Sequence, residues 1–433
     1  MITITPLKYK IDLISHYDAL SHLPGFVILE SKDKVNGRFD IVSALPYDSF
    51  TLMRDSPERK GAFAKLDSLL EQVESNCDLP FQGGIIGYIA YDLATEFSKP
   101  PHPSNDTPLI ALGFYDWAIV TDHLKQTVQL IAANRQPETM DVVKEVMKYW
   151  RNANSSPTLF KLLHEFSPLI NKNQYQESFK AIYAAIKKGR AYQVNYTQPF
   201  LAEYSGDAWE IYKRVRLKNP VPYAAFLRGE QSDILSFSPE QFITMEKGCI
   251  KTSPIKGTAK RSFDKKKDQA LKAELLKSEK NRAENIMIVD LMRNDFATFS
   301  IPGTIKVKSL CEVQSYSAVH HLVSTIEGQY KSTLTPLQAL AHCFPGGSVT
   351  GAPKREAMRI INEQEPYARG VYCGSICYLS NHGRFDSNIA IRTMTATENM
   401  LYLSAGGGIV IDSLCEEEYR ECFTKISAIM NAL

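Results

Sequence analysis

Pro254-Ile255-Lys256-Gly257-Thr258 sets a lysine between a turn-forming proline and a glycine. Both neighbours restrict the backbone, and the preceding Ile250-Lys251-Thr252 reads as strand, so the pattern predicts an amine held on a rigid turn. Such an amine is a candidate nucleophile; a solvated loop lysine would have the same pattern. Glu240, in Ser236-Phe237-Ser238-Pro239-Glu240, ends a strand and can approach Lys256 across a hairpin, or can cap and face water. Glu284 shares a helical stripe with Met287, Ile288 and Leu291, which places a carboxylate on an apolar face, where it needs an ion pair, a cation or a substrate. Glu418, Glu421 and Lys425 follow one another at one-turn intervals, so all three can face one site, as solvated helix charges also do. Carboxylates without histidine or thiolate companions suit a hard cation such as Mg²⁺ and do not suit zinc.

Two glycine-rich stretches offer backbone donors. Phe344-Pro345-Gly346-Gly347-Ser348-Val349-Thr350-Gly351-Ala352-Pro353-Lys354 ends with a proline at an expected first helical position, a helix start that binds anions. It lacks the Gly-Lys-Ser/Thr ending of a nucleotide loop, which makes carboxylate the better ligand. Ser404-Ala405-Gly406-Gly407-Gly408 is expected to expose N–H groups at a strand end. Arg392 alternates with apolar neighbours in Ile389-Ala390-Ile391-Arg392-Thr393; it points into the sheet stack towards an acid or ligand, or faces outward. His320 and His321 face opposite sides of one strand, so one of them points inward, as a core residue or as a catalyst.

The elements that must position these groups follow from periodicity. Residues 25–31 and 39–46 read as a hairpin around Asp33, Asn36 and Gly37, followed by a helix near 58–75, a glycine-marked strand over 83–92, a proline-rich loop from Pro100 to Pro108, and strands 110–120 and 126–133. The loosest point, Asn152 to Pro157, marks a lobe boundary, dividing an N-terminal lobe, 1–165, from a second region, 166–433, with the two packed as one unit. Tyr175, Phe179, Ile182 and Ile186 recur at helical spacing until Gly189. Strands then dominate to residue 252, one helix is expected over 264–294, and strands over 304–328. Helices near 335–343 and 353–364, strands 371–380, 384–395 and 400–405, and a helix over 416–432 complete the chain. Consecutive strands without βαβ alternation predict an α+β fold of two stacked, mainly antiparallel sheets flanked by helices.

The chain has 433 residues, 44% hydrophobic and 23% charged, enough for one large core or two ordinary ones. A formal charge of +2 and no basic block longer than Lys265-Lys266-Lys267 argue against a nucleic-acid partner and for a small molecule. No apolar run approaches a membrane span and the N-terminus carries no export pattern, so a cytoplasmic location without membrane contact is expected. The eight cysteines lack zinc-type spacing and read as reduced, with Cys373 and Cys377 as small core residues.

In order, Ser238-Pro239-Glu240, Pro254 to Thr258, Arg282-Ala283-Glu284-Asn285, Asp290-Leu291-Met292-Arg293-Asn294-Asp295, His321-Leu322-Val323-Ser324, Phe344 to Lys354, Cys373-Gly374-Ser375, Tyr378-Leu379-Ser380, Ile391-Arg392-Thr393 and the triple glycine closely resemble the chorismate-utilising enzymes. The likeness covers residues 165–433 and is looser before them, through Leu29-Glu30-Ser31, Gly37-Arg38-Phe39 and Tyr88-Ile89-Ala90-Tyr91-Asp92. Within that family, aminodeoxychorismate synthases carry a lysine where this chain has Lys256, and anthranilate synthases an alanine. Isochorismate and salicylate synthases use a water-activating lysine at the position matching Gln193, where an amide favours ammonia. The resemblance therefore implies amination of chorismate to 4-amino-4-deoxychorismate for 4-aminobenzoate and folate. In that scheme Lys256 is nucleophile, Glu240 general acid, and His321 and Gln193 further catalytic positions. It also implies Mg²⁺ on Glu284, Glu418 and Glu421, and substrate contacts from Arg392, Tyr378, Thr258, Thr350, Gly407, Gly408 and Lys425. No glutaminase elbow is recognisable in the chain, so a separate glutamine amidotransferase subunit is implied as the ammonia source. Glu30, Ser31, Pro222 and Tyr223 match the pieces of the family's tryptophan pocket; they are equally ordinary strand-end and turn residues.

Overall fold

Alternation along single strands divides side chains between two cores. Val27, Ile41, Val120 and Ala225 enter one, and their neighbours Ile28, Val42, Ile119 and Phe226 enter the other. A period of two sends successive residues to opposite faces, and a sheet covered on both faces needs apolar residues on each. The computed structural model describes residues 2–31, 38–75, 77–95, 107–153, 159–316 and 319–433. Among them are one 13-stranded and one 10-stranded sheet. Helices Lys172–Lys187, Ala208–Lys218, Lys354–Gln364 and Cys415–Met430 pack through Tyr175, Trp209, Ile360 and Ile426 against the larger sheet. Helices Glu279–Ala297 and Pro336–Cys343 contribute Ile288, Met292 and Leu340 to the other core. The α+β architecture of two sheets flanked by helices is the one the sequence predicts.

Strands from both ends of the chain interleave. Val27–Glu30 pairs antiparallel with Tyr223–Leu227 in the larger sheet, and Gly84–Ile89 pairs with Ser375–Ser380 in the smaller. The hairpin strands Val27–Glu30 and Phe39–Ser43 pair as expected, while Asp33, Asn36 and Gly37, most of the loop from Pro100 to Pro108, and Asn154 to Pro157 lie outside the described residues. All eight cysteines are free, and Cys373 and Cys377 are buried.

Several elements differ from the sequence reading. The helix expected over 264–294 is two, Lys265–Lys277 and Glu279–Ala297, because extended Ser278 ends the first and its hydroxyl caps the second by accepting from Asn281 N. A helix, Ala208–Lys218, interrupts the run of strands before 252, with Asp207 as its cap. The region expected as helix over 58–75 holds only a 3-10 turn, Pro57–Arg59, and a short helix, Ala62–Ser68. The run 110–120 splits at Asp116 into strands of different sheets, Ile110–Tyr115 and Trp117–Asp122. The run 384–395 splits likewise: Phe385–Asn388 belongs to the smaller sheet and Thr393–Ala396 to the larger. The triple glycine lies inside strand Met400–Ile409, where Gly406, Gly407 and Gly408 pair with Thr197, Tyr196 and Asn195, so it is no strand terminus.

Candidate active site

Two chain segments cross between the sheets side by side. One leaves strand Asp233–Ser238 for Gln241–Glu246 and carries Glu240; the other leaves Phe385–Asn388 for Thr393–Ala396 and carries Arg392. They are tied to each other by Ile389 N donating to Glu240 O (3.1 Å), Phe237 N to Arg392 O (3.0 Å) and Ser238 Oγ to Ile389 O (2.6 Å). Arg392 itself sits at φ 52°, a left-handed conformation that breaks the strand and redirects its side chain. A third segment joins them, with Cys373 N donating to Ala390 O and Ala390 N to Gly374 O.

Lys256 lies in strand Ile255–Lys260, opposite Leu322 of Val319–Gln329, and not on the free turn that Pro254 and Gly257 suggest. The ladder slips by one residue between Lys256 and Thr258 at Gly257 (φ 73°), a bulge of the kind that re-aims side chains near active sites. The positive φ favours glycine there, and a Cβ would lie 2.8 Å from Asn281 Cγ, so a side chain would have to displace its neighbours. Burial lowers the Lys256 pKa, and Lys425 lowers it further, against Glu284, Glu240 and Glu421. Burial raises the Glu240 carboxyl, opposed by Lys256, a hydrogen bond with Ser348, Lys425 and Arg392. Lys256 and Glu240 thus share one electrostatic site, each shifted towards its neutral form.

His321 is buried, and its Nδ1 is 3.0 Å from Thr258 Oγ1. Desolvation, followed by the Arg392 charge, brings its pKa down to about 4, so the ring is neutral at pH 7 and can only share a hydrogen bond. His320 faces the other way, between Ser315 and Asp268. Gln193 is fully buried at the start of strand Gln193–Gly206, and neither its Nε2 nor its Oε1 has a hydrogen-bond partner. Its amide lies against Gly408, where a Cβ would meet Gln193 Cδ and Nε2 at 2.9 Å. A buried amide without a partner among the described residues is open to a ligand or a water. Glu418, Glu421 and Lys425 do face one point: a Cβ on Gly407 would lie 2.8 Å from Glu418 Oε2 and 3.7 Å from both Glu421 Oε1 and Lys425 Nζ. Lys425 Nζ also donates to Gly406 O (2.8 Å).

A model for "chorismate binding enzyme" matches residues 25–431. The chain belongs to the chorismate-binding enzymes. It is 41% identical to aminodeoxychorismate synthase component 1 of Salmonella typhimurium over 100% of this chain and 98% of the relative. The Escherichia coli protein of the same name is also 41% identical, covering 96% and 95%. Anthranilate synthase component I from Streptococcus pneumoniae superposes with a TM-score of 0.82 at 31% identity, covering 98% and 99%.

In this chorismate-binding enzyme two expected substrate contacts are placed elsewhere. Tyr378 does not join Arg392: on strand Ser375–Ser380 it pairs with Asp386 and lines a separate cavity. Burial lowers the Arg392 guanidinium's pKa, opposed by Glu240 and by Tyr372, which is thus the tyrosine near it, as a neutral phenol. Sequence reading missed Tyr372, although it immediately precedes Cys373-Gly374-Ser375. Thr350 is fully buried and its hydroxyl donates to Gly346 O and Gly347 O, so it holds its own loop together and is not offered to a ligand. The following helix starts after Pro353, and Lys354 is engaged by Asp295 and Cys343 O. Ser348, in the same loop, was also missed as the partner of Glu240.

The carboxylates can be tested against a cation. Their hard oxygens suit Mg²⁺, and the space left by Gly407 opens beside Glu418 and Glu421. Burial, and then the Glu421 charge, raise the Glu418 carboxyl above its ordinary range, although Ser413 hydrogen-bonds to it. A cation would relieve that repulsion. Among the described residues no three His, Cys, Asp or Glu groups are gathered closely enough to ligate a metal, and Glu421 pairs with Lys425 at 2.6 Å. Glu284, on helix Glu279–Ala297, acts on Lys256 electrostatically.

The separate cavity encloses about 320 Å³ and is lined by Ser31, Pro222, Tyr223, Gln241, Tyr378 and Asp386 among others, but not by Lys256, Glu240 or Arg392. Ser31 Oγ, Gln241 Oε1 and Asp386 Oδ1 are buried without partners. Burial pushes the Asp386 carboxyl up to about 7, opposed by Arg384. Glu30 also lines the cavity, but its carboxylate is held by Arg216 at 2.6 Å and by the Tyr212 hydroxyl, which leaves it no role as a free ligand anion.

Proposed function

We propose that this enzyme converts chorismate and ammonia to 4-amino-4-deoxychorismate, the role named for its relatives in Salmonella and Escherichia coli. The observation that carries this reading is the amine of Lys256, on a bulged strand where burial favours its neutral form, sharing one electrostatic site with the Glu240 carboxyl, which burial shifts towards its protonated form. Lys256 attacks ring carbon C2 while Glu240 protonates the departing C4 oxygen, which leaves as water. Ammonia then bonds to C4 as the C2–nitrogen bond to Lys256 breaks, so the net change exchanges hydroxyl for amine. Arg392 and Tyr372 hold the enolpyruvyl carboxylate, with His321 and Thr258 beside it. Lys425 and the glycine strand face the ring carboxylate. Glu284, Glu418 and Glu421 would have to draw together, and Glu421 to leave Lys425, in order to hold Mg²⁺, which would supply positive charge for that carboxylate. The neutral, unpartnered Gln193 leaves ammonia, supplied by a separate glutamine amidotransferase, as the final nucleophile. Eight free thiols suit a reducing, cytoplasmic setting. No helix among the described residues is long and apolar enough to cross a membrane.

Incubation with chorismate, Mg²⁺ and ammonium tests the assignment. Aminodeoxychorismate without pyruvate is expected; anthranilate with pyruvate would assign the chain to the other reaction. Lys256→Ala should lower amination about 10³-fold or redirect it. The unpaired polar atoms of Ser31, Gln241 and Asp386 in the separate cavity favour a polar ligand, and tryptophan, with an ammonium and an indole N–H to donate, meets that need. Tryptophan should raise the melting temperature of the wild type, and Asp386→Asn should abolish the rise.

A further inference from the structure

One fully buried ion pair lies behind the active-site walls and takes no part in the scheme above. Arg369 and Glu365, at the end of helix Lys354–Gln364 and just beyond it, have side chains 2% exposed and meet at 2.7 Å. The guanidinium donates from Nε to Glu365 Oε2 (2.9 Å), from Nη2 to Glu365 Oε1 and Asn195 O (both 2.7 Å), and from Nη1 to Val349 O (2.7 Å). Glu365 Oε1 in turn accepts from Thr197 N and Thr197 Oγ1, both at 3.0 Å.

These contacts fall at a gap in the sheet. Strand Gln193–Gly206 pairs along one side with Met400–Ile409 from Val194 to Glu203. On its other side Gly351–Ala352 pairs only with Gln193 and Val194, and Ser167–Pro168 only with Leu201 and Phe200. Between those two short strands, the Asn195 carbonyl and the Thr197 N–H would have no strand to bond. Arg369 and Glu365 supply the missing donor and acceptor. A buried charged pair gives little net stability over an apolar pair of the same volume, so stability alone does not account for charge at this place. The forked geometry of a guanidinium accounts for it better, since it serves three acceptors in fixed directions.

Each contact point lies close to a residue of the proposed chemistry. Asn195 is two residues from Gln193 and opposite Gly408. Val349 follows Ser348, the hydrogen-bond partner of Glu240. Tyr372 is three residues beyond Arg369, whose backbone N–H and that of Gly370 are anchored on Asp92. We propose that the Arg369–Glu365 pair is a positioning device that replaces a missing strand beside Gln193–Gly206 and fixes the walls carrying Gln193, Ser348 and Tyr372. The pair touches no reacting atom. Its catalytic meaning rests on the amination reading above; its structural meaning does not.

Arg369→Lys tests the device, because lysine keeps the charge facing Glu365 but offers one nitrogen where three acceptors wait. Steady-state rates with chorismate and ammonium, hydrogen exchange of peptides covering 193–199, and the melting temperature are measured on the full chain. The expected result is a fall in kcat of about 30-fold or more with KM for chorismate within about threefold, a soluble protein with a cooperative melt, and exchange at 193–199 about tenfold faster while the rest of the larger sheet keeps its protection. Wild-type kcat, or exchange that rises uniformly over the whole sheet in proportion to lost stability, would overturn it. If Arg369→Lys does not accumulate as folded protein, Glu365→Gln, which retains an acceptor for Thr197, is read by the same measures and limits. Wild-type turnover is the control for the reaction itself: if the wild type does not aminate chorismate, that reading falls, and the exchange rates at 193–199 alone decide the positioning claim.

Discussion

Lys256 and Glu240 are both displaced towards neutrality, and the sign of each displacement fixes a limb of the pH profile. The amine acts unprotonated, so its active fraction grows as pH rises through a pKa that burial has lowered from the ordinary lysine value. The acid acts protonated, so its active fraction shrinks as pH rises through a pKa that burial has raised from the ordinary carboxyl value. The product of the two fractions peaks midway between the pKa values whichever lies higher, and a bell-shaped kcat is expected. Glu240→Gln, measured across the same pH range, should lower kcat about 10²–10⁴-fold and remove the alkaline limb; an unchanged alkaline limb would take the acid role away from Glu240. Residue types in order nominated Lys256, Glu240, Arg392 and the Glu418–Lys425 series, but each had an ordinary structural alternative, and it was the resemblance of the ordered motifs that singled them out. Tyr378 and Tyr372 show where that reading stops. Both are buried tyrosines near the same strand, and only the chain path through Cys373 (φ 65°) separates the one that faces Arg392 from the one that faces the second cavity.

At the scale of elements, the site is built by interruptions in otherwise regular strands. The bulge at Gly257 turns Lys256 inward, and the crossovers at Glu240 and Arg392 bring residues of two sheets to one cleft. Gly257→Ala should cost about 1–3 kcal/mol, since a residue with a Cβ is strained at φ 73° and would press on Asn281. A denaturant titration gives that cost, and kcat is expected to fall by more than the folded fraction does, because the bulge sets the direction of the amine. Equal losses in the two measurements would mean that the bulge serves stability alone. Gly408→Ala makes a parallel case: its Cβ would displace the Gln193 amide, so amination should drop about tenfold or more while the melting temperature changes little. None of these interruptions is written as a break in the sequence. Alternation of apolar residues continues through 384–395 although the strand does not, and Arg392 enters a left-handed conformation without the glycine that would announce it. The split at Ser278 has the same origin, because a serine cap in a polar helical stretch looks like one more exposed position.

At the scale of the whole molecule, the two sheets bind the first third of the chain to the last, and the two-sheet α+β class was readable because the strands come in uninterrupted groups. Which strands pair was not readable, since partners such as Val27–Glu30 and Tyr223–Leu227 lie far apart in the chain and share only apolar alternation. That seam carries a buried ion pair: Glu30, at the end of one strand, accepts from Arg216 Nε at 2.7 Å and from Nη2 at 2.6 Å, with side chains 0% and 1% exposed. The Tyr212 hydroxyl adds a third donor. Removing the carboxylate leaves a guanidinium inside the protein, with Asp12, 41% exposed at its side chain, still beside it at 3.1 Å. Glu30→Ala is therefore expected to lose about 3 kcal/mol or somewhat more, the penalty of an uncompensated buried charge. Urea unfolding should show the loss as a lower midpoint, with kcat of the folded protein within about twofold of wild type, because Glu30 acts on the seam between the chain's ends and not on the cleft. A large fall in kcat at an unchanged midpoint would instead place Glu30 in the catalytic machinery.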